Sequence, residues 1–177
     1  MAAAGWLALT LVLAAGGPAL AQRLDGFNVI AVPAHPYGSP GAGDALAAAC
    51  RAGAEAIAIV PFLWQRDPQH AGLVRGEDMP DAALRLAIRQ ARAAGLRVMV
   101  KPHVWVPGSW AGAIEPVSPG DWRAWFERYR AALAQIAAVA AEEGAEGFRS
   151  ARNWKKPRGA RSGATSSRRC AGYFRAC

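Results

Sequence analysis

The sequence predicts an α/β protein, an incomplete (β/α)8 TIM barrel of about three βα units with a fourth strand begun. Three observations predict it. Short β-rich runs alternate with helical stretches at intervals of roughly forty residues, the rhythm of parallel strands joined by outer helices. The runs Ala56–Phe62 and Leu96–Val100 are almost wholly apolar, as strands covered on both faces are. The chain has 177 residues, whereas a full barrel takes about 250.

The elements follow in order. Phe27–Val32 reads as a first strand, leading into a turn-forming segment, Pro33–Gly43, rich in Pro, Gly and Ser. Asp44–Ala52 reads as a helix closed by Gly53, and Ala56–Phe62 as a second, buried strand. A polar loop runs to Met79. Asp78 is the expected N-cap of a helix over Pro80–Ala94, with Pro80 just inside and Gly95 at its end; Leu84, Ile88 and Ala91 share one face. Leu96–Val100 is a third strand, continuing through Lys101 and His103, and Trp105–Pro119 a loop. Asp121–Glu143 reads as a long helix with Asp121 as its N-cap. Its residues Trp122, Trp125, Phe126, Tyr129, Leu133 and Ile136 recur at helical spacing and are expected in the core. Gly144 stops it, and Ala145–Phe148 opens a fourth strand. No Gly-x-Gly-x-x-Gly follows the first strand, so the dinucleotide-binding alternative lacks its signature.

Charge divides the chain. Up to Phe148 there are twelve basic and thirteen acidic side chains, net −1; residues 149–177 add nine cations and bring the total to +8. The basicity therefore belongs to a tail rich in Arg, Ser, Gly and Ala, and no nucleic-acid-reading module accompanies it. Nucleic acid is not an expected partner. At the other end, Trp6–Ala15 is apolar apart from Thr10, and Ala19-Leu20-Ala21 precedes Gln22 in the small-x-small form of a cleavage site, so residues 1–21 read as an export signal. A secreted or periplasmic location follows, with no membrane association beyond that signal. Cys50, Cys170 and Cys177 show neither a disulfide framework nor metal-ligand spacing. No cofactor and no metal is expected.

Barrel chemistry sits at the C-terminal ends of strands. There the chain carries Val60-Pro61-Phe62-Leu63-Trp64-Gln65 and Val98-Met99-Val100-Lys101-Pro102-His103-Val104-Trp105. Aromatic faces beside fixed hydrogen-bonding groups are what a sugar ring and its hydroxyls require. With Asp81–Ile88, Gly95–Val104, Trp110–Ile114 and Asp121–Tyr129, these stretches resemble glycoside hydrolase family 113, secreted β-mannanase-like enzymes on a (β/α)8 barrel. The resemblance covers about Gly26 to Phe148, the N-terminal part of such an enzyme. Residues 22–148 then form the glycosidase-like domain and 149–177 a basic tail.

The resemblance implies a retaining mechanism, in which one carboxylic acid protonates the leaving oxygen and a second, about 5–5.5 Å away, attacks the anomeric carbon. It places the acid/base in a Gly-Thr-Glu-Leu motif after the fourth strand and the nucleophile on a much later strand. Arg149-Ser150-Ala151-Arg152-Asn153 stands where the first should begin, and the second has no counterpart. No catalytic residue is therefore assigned. A shifted reading frame near Phe148 accounts for the substitution. Read from the third base of each codon, Asn153 into Trp154 forces Leu and Trp154 into Lys155 forces Glu. Codons permitted around them spell Val-Gly-Thr-Glu-Leu-Glu-Lys-Thr. A disordered basic tail is the alternative.

The candidate substrate-binding residues are Tyr37, Trp64, Gln65, Lys101, His103, Trp105 and Trp110. Lys101 and His103 are two apart and expected on one strand, so both should point the same way, as donors to hydroxyls. Trp64 is a stacking platform or barrel packing; Gln65 beside it would fix a hydroxyl. Trp105 and Trp110 lie on a loop, where exposed aromatics often bind. Tyr37 stands where the family has a tyrosine, beside His35. Glu115 and Asp121 are not a catalytic pair, because Asp121 is expected to cap a helix and Glu115 has no positioned partner. The expected partner is a β-mannan-like polysaccharide or oligosaccharide. A non-catalytic carbohydrate-binding or cell-envelope protein on a half barrel is the alternative function. A basic-tailed nucleic-acid or membrane-surface protein ranks last.

Overall fold

A computed structural model of the chain describes residues 25–150. The expected export signal, residues 1–21, and almost all of the basic tail, including Cys170 and Cys177, lie outside the described residues. Four parallel strands, β1 (Gly26–Val29), β2 (Ala56–Ile59), β5 (Arg97–Val100) and β7 (Gly147–Phe148), form one sheet in the order β1-β2-β5-β7. Helices α1 (Pro40–Arg51), α2 (Asp81–Ala93) and α3 (Pro119–Glu142) make the crossovers between successive members of that sheet. Three complete βα units and the start of a fourth strand are the predicted part of a (β/α)8 barrel. A smaller sheet, ordered β4-β3-β6, is made by β3 (Phe62–Trp64), β4 (Val74–Arg75) and β6 (His103–Trp105).

The two faces of the main sheet differ. Ile57, Ile59, Val98 and Val100 are buried and pack with Leu84, Ile88, Trp125 and Ile136 of the helices in a single core. Each such aliphatic side chain contributes about 1.5–3 kcal/mol by leaving water. On the opposite face Asn28, Ala58, Met99 and Gly147 stand in one row of the register, and all are exposed or half-buried. That is the face that lines a barrel's interior.

The second and third strands are shorter than their apolar runs suggest, for one reason. Ile59 pairs with Val100 in the main sheet and Phe62 with His103 in the small one, so Pro61 and Pro102 interrupt both strands at the same level. Proline has no N–H for a ladder, and the chains restart beyond it as β3 and β6. Their hydrogen bonding resumes with His103 N–H donating to Pro61 O at 3.0 Å. The polar loop to Met79 also contains β4, and the loop after Trp105 a 3-10 turn at Ala111–Ala113. The first strand likewise ends early, at Val29, leaving Ile30 and Val32 exposed.

Helix starts needed correction. Helix α1 begins at Pro40, well before the expected Asp44, because Ser39 caps it by accepting from Ala42 N at 3.2 Å and Pro40 suits the first turn. Helix α3 begins at Pro119. Its cap is Ser118 rather than Asp121: Ser118 Oγ accepts from Asp121 N at 3.1 Å, while the Asp121 carboxylate accepts from Ser118 N at 3.1 Å, a reciprocal capping box. Helix α2 has Pro80 at its N-cap without a side-chain cap, so Asp78 does not serve; Asp81 in its first turn pairs with Arg75 instead. Its end and that of α3 fall at Gly95 and Gly144, both at positive φ, as expected.

Helices α2 and α3 are clamped at one end. The Glu143 side chain is 8% exposed, with Arg89 donating to it from Nε at 2.6 Å and Nη2 at 2.7 Å and Arg85 from Nη1 at 3.1 Å. Hydrogen bonds from Arg89 and then Arg85 hold its carboxyl below the ordinary 4.5. Arg92 donates to the Glu143 carbonyl at 2.9 Å, satisfying one of the orphan acceptors of the helix end. Among the described residues no helix is long and apolar enough to cross a membrane.

Candidate functional site

In β3 and β6 side chains alternate. Leu63 and Val104 are 0% and 1% exposed and point into the core. Phe62, Trp64, His103 and Trp105 therefore share the other face, and the parallel register sets Phe62 beside His103 and Trp64 beside Trp105. The four rings make one patch. Phe62 lies 6.2 Å from Trp64, 6.0 Å from His103 and 5.8 Å from Trp105, and the two indoles are 6.2 Å apart with planes at 59°. These are ordinary edge and tilted contacts between aromatic rings. Trp64 is 38% and Trp105 46% exposed, so the patch offers apolar ring faces to solvent immediately beyond the C-terminal ends of β2 and β5.

Lys101 and His103 do not share a strand, since Pro102 separates the end of β5 from β6. They remain neighbours electrostatically: partial burial first, and the Lys101 charge second, lower the His103 pKa below 6.5. His103 is thus held neutral near pH 7, able to donate from one ring nitrogen and accept at the other. Lys101 Nζ lies 3.4 Å from Asn28 Oδ1. That contact places the ammonium on the barrel-interior face.

Gln65 behaves differently from expectation. Its side chain is 1% exposed. Oε1 accepts from Trp125 Nε1 at 2.8 Å, and Nε2 donates to the carbonyls of Asp67 at 2.8 Å and Pro68 at 3.2 Å. An amide engaged in this way ties α3 to the loop after β3 and has no free group to offer a hydroxyl from solvent. The side chain alternates away from Trp64, and the indole N–H of Trp125 needed a buried acceptor.

Tyr37 packs against the core, and its hydroxyl is enclosed with no hydrogen-bond partner among the described residues. Burial pushes its pKa up to about 12. Trp110 is the most exposed indole among the described residues, at 67%, and lies across Gly112, where a Cβ would meet its ring at 2.0 Å. Neither Tyr37 nor Trp110 makes a ring contact with the four-ring patch among the described residues. The structure therefore joins Trp64, His103 and Trp105, sets Lys101 at their margin, and adds Phe62 and Asn28. Phe62 was legible as a member: it stands two residues before Trp64, as His103 does before Trp105. Asn28 carried no sequence signal.

The aromatics of α3 are core. Trp122, Trp125 and Tyr129 are buried, at 9%, 0% and 7% exposure; Phe126, expected with them, is 39% exposed and stacks on Trp122 at 5.5 Å. Among the described residues the Glu115 side chain makes no hydrogen bond or ion pair, and no group of three or more His, Cys, Asp or Glu is placed to hold a metal ion. At the end of β7 the backbone N–H of Arg149 donates to Val100 O at 2.9 Å. The described part of the fourth strand therefore leads into Arg149 and Ser150, with no carboxylate at its exit.

A family model described as Glycoside Hydrolase Family 113 matches residues 29–151. Among solved structures the chain is similar to the family 113 β-mannanase AaManA from Alicyclobacillus acidocaldarius in complex with ManMIm. The identity is 24% and the TM-score 0.62, over 71% of this chain and 43% of that one. It is also similar to a family 113 β-1,4-mannanase at 23% identity and TM-score 0.60, over 71% and 44%, and to a complex of such an enzyme at 22% and 0.62, over 73% and 46%. The chain thus spans less than half the length of these structures, and at such identities the likeness shows the fold. No curated protein matches.

Proposed function

This chain belongs to glycoside hydrolase family 113, and from that premise we propose that it is an exported protein that holds β-mannan chains without hydrolysing them as written. The observation that carries the binding half is the ring patch of Phe62, Trp64, His103 and Trp105 at the strand ends. A pyranose presents an apolar C–H face to such rings while its hydroxyls stay available for His103 and Lys101. The non-hydrolytic half rests on the exit of the fourth strand, where Arg149 and Ser150 stand in place of the Gly-Thr-Glu-Leu that the family resemblance implies. We infer a shifted reading frame near Phe148 as the origin, since the codon pairs at 153–155 force Leu and Glu and permitted codons at 149–153 supply Val-Gly-Thr-Glu ahead of them. Export rests on the apolar run and cleavage-like Ala19-Leu20-Ala21 of the first 21 residues.

Titration of the full chain with manno-oligosaccharides, followed by tryptophan fluorescence, should show saturable quenching, while assays on mannan should release no reducing sugar. Turnover on mannan would overturn the non-hydrolytic reading. Absence of quenching would overturn the binding reading. Resequencing the gene across the codons for Phe148 to Pro157 tests the frame directly.

A further inference from the structure

Close to the ring patch along the chain the molecule has a concavity that shares none of its rings. A cavity of about 580 Å³ lies between the loop after β3 and the start of α3, lined by Arg66, Asp67, Gln69, His70, Asp121 and Arg128 along with the Ala71-Gly72 backbone. Its volume is within the range that holds small organic ligands. It begins two residues beyond Trp64, a span of at most about 7 Å along the chain.

The chemistry of its wall selects among ligands. Two guanidinium groups face two carboxylates, so the four formal charges cancel, and a free anion or cation meets one repelling pair for each attracting one. Both carboxylates are held in place. Asp67 accepts from Arg66 Nε at 3.1 Å and from Gln69 N at 3.0 Å; Asp121 Oδ2 accepts from Ser118 N at 3.1 Å and Ser118 Oγ at 2.7 Å. Arg128 donates one N–H, from Nη1 to Ala71 O at 3.1 Å, and makes no ion pair among the described residues. A guanidinium has five N–H groups, so most of its donors are unspent. Asp121 Oδ1 and the Gln69 side chain have no hydrogen-bond partner among the described residues either. The loop bearing these groups is braced from beneath by Gln65, which holds the carbonyls of Asp67 and Pro68. The result is an electrically neutral set of donors and acceptors, with Arg66, Gln69 and Arg128 reaching solvent and Asp67 and Asp121 half-buried. Vicinal hydroxyls, each a donor and an acceptor at once, match it.

We propose that this cavity is a second carbohydrate subsite, which takes a further neutral sugar unit of the same glycan chain whose neighbouring unit rests on Trp64 and Trp105. The assignment rests on the glycan-binding reading of the ring patch. Arg128, Asp121 and the Gln69 amide hydrogen-bond the hydroxyls.

The test uses the full chain, titrated by calorimetry with mannobiose and with mannohexaose. Gln69→Ala is the first variant, because it removes a side chain without a protein partner; Arg128→Gln is the second. Each should weaken mannohexaose binding by roughly two- to tenfold, the loss of about one hydrogen bond, and leave mannobiose unchanged. Trp64→Ala should weaken both. Wild-type affinity for mannohexaose in the two variants, or an equal loss for both sugars, overturns the subsite and leaves the ring patch standing. Inorganic phosphate competing with mannohexaose also overturns it, since the cavity would then select anions. Failure of the wild-type chain to bind either sugar sinks the ring-patch reading and this subsite together.

Discussion

Two aromatic clusters in this molecule each carry two tryptophans and differ in what covers them. On α3, Trp122, Trp125 and Tyr129 are sealed under the loop after β3 and the sheet; Trp125 and Tyr129 stack at 5.0 Å and the Trp125 N–H is answered by buried Gln65. On β3 and β6, Phe62, Trp64, His103 and Trp105 stand over a buried Leu63–Val104 layer, and their other faces meet solvent. Helical spacing turned one set inward. Strand alternation, with Leu63 and Val104 taking the core positions, turned the other outward. Indole chemistry alone does not mark a binding site; the side of the element on which the indole falls decides it.

Substitutions can break this contrast. Trp125→Ala should cost about 3–5 kcal/mol of stability, read as a large fall in the urea midpoint, whereas Trp105→Ala should stay within about 0.5 kcal/mol, as exposed positions do. Comparable losses at the two sites would erase the distinction. Gln65→Leu should cost about 1–3 kcal/mol, because it leaves the Trp125 N–H buried without an acceptor. Little change would mean that this amide does not brace α3. Trp64→Ala and Trp105→Ala should each weaken manno-oligosaccharide binding roughly three- to tenfold, the order of one aromatic contact, with the thermal midpoint nearly unmoved.

The smallest effects are in pH dependence. The folded pKa of His103 lies below its unfolded 6.5, so the unfolded chain takes up the proton first. Stability should fall as pH drops below 6.5 and level off beneath the folded value. Glu143 has a folded pKa below its ordinary 4.5, so its contribution is intact above 4.5 and lost as pH falls through the folded value. Denaturation midpoints measured against pH should therefore decline in two steps. His103→Gln should remove only the upper step and Glu143→Gln should shrink only the lower, to which Asp67, held low by Arg66, also adds; a decline unaffected by either variant would refute the assignment.

The βα alternation was legible because buried parallel strands write continuous apolar runs and glycine marks helix ends, as at Gly95 and Gly144. The strand breaks at Pro61 and Pro102 were not read: the expected strands ran through both prolines, and only the register shows that the two interruptions coincide. Three of the four rings of the patch, Trp64, His103 and Trp105, were read from the sequence. Phe62 could have joined them on period-two spacing alone. The reach of Lys101 to Asn28 could not, since it depends on how β1, β2 and β5 lie side by side, across 73 positions of sequence.

Local pattern by itself determined the class of fold and the family resemblance. Those properties are written in neighbouring residues: periodicity, caps and short motifs. Tertiary structure alone decided that Gln65 belongs to the core, that Phe126 does not, and that four rings from two strands form one surface. Each of these depends on which chain segment comes to lie opposite, and a buried polar group or an exposed ring is defined by that neighbour rather than by its own sequence.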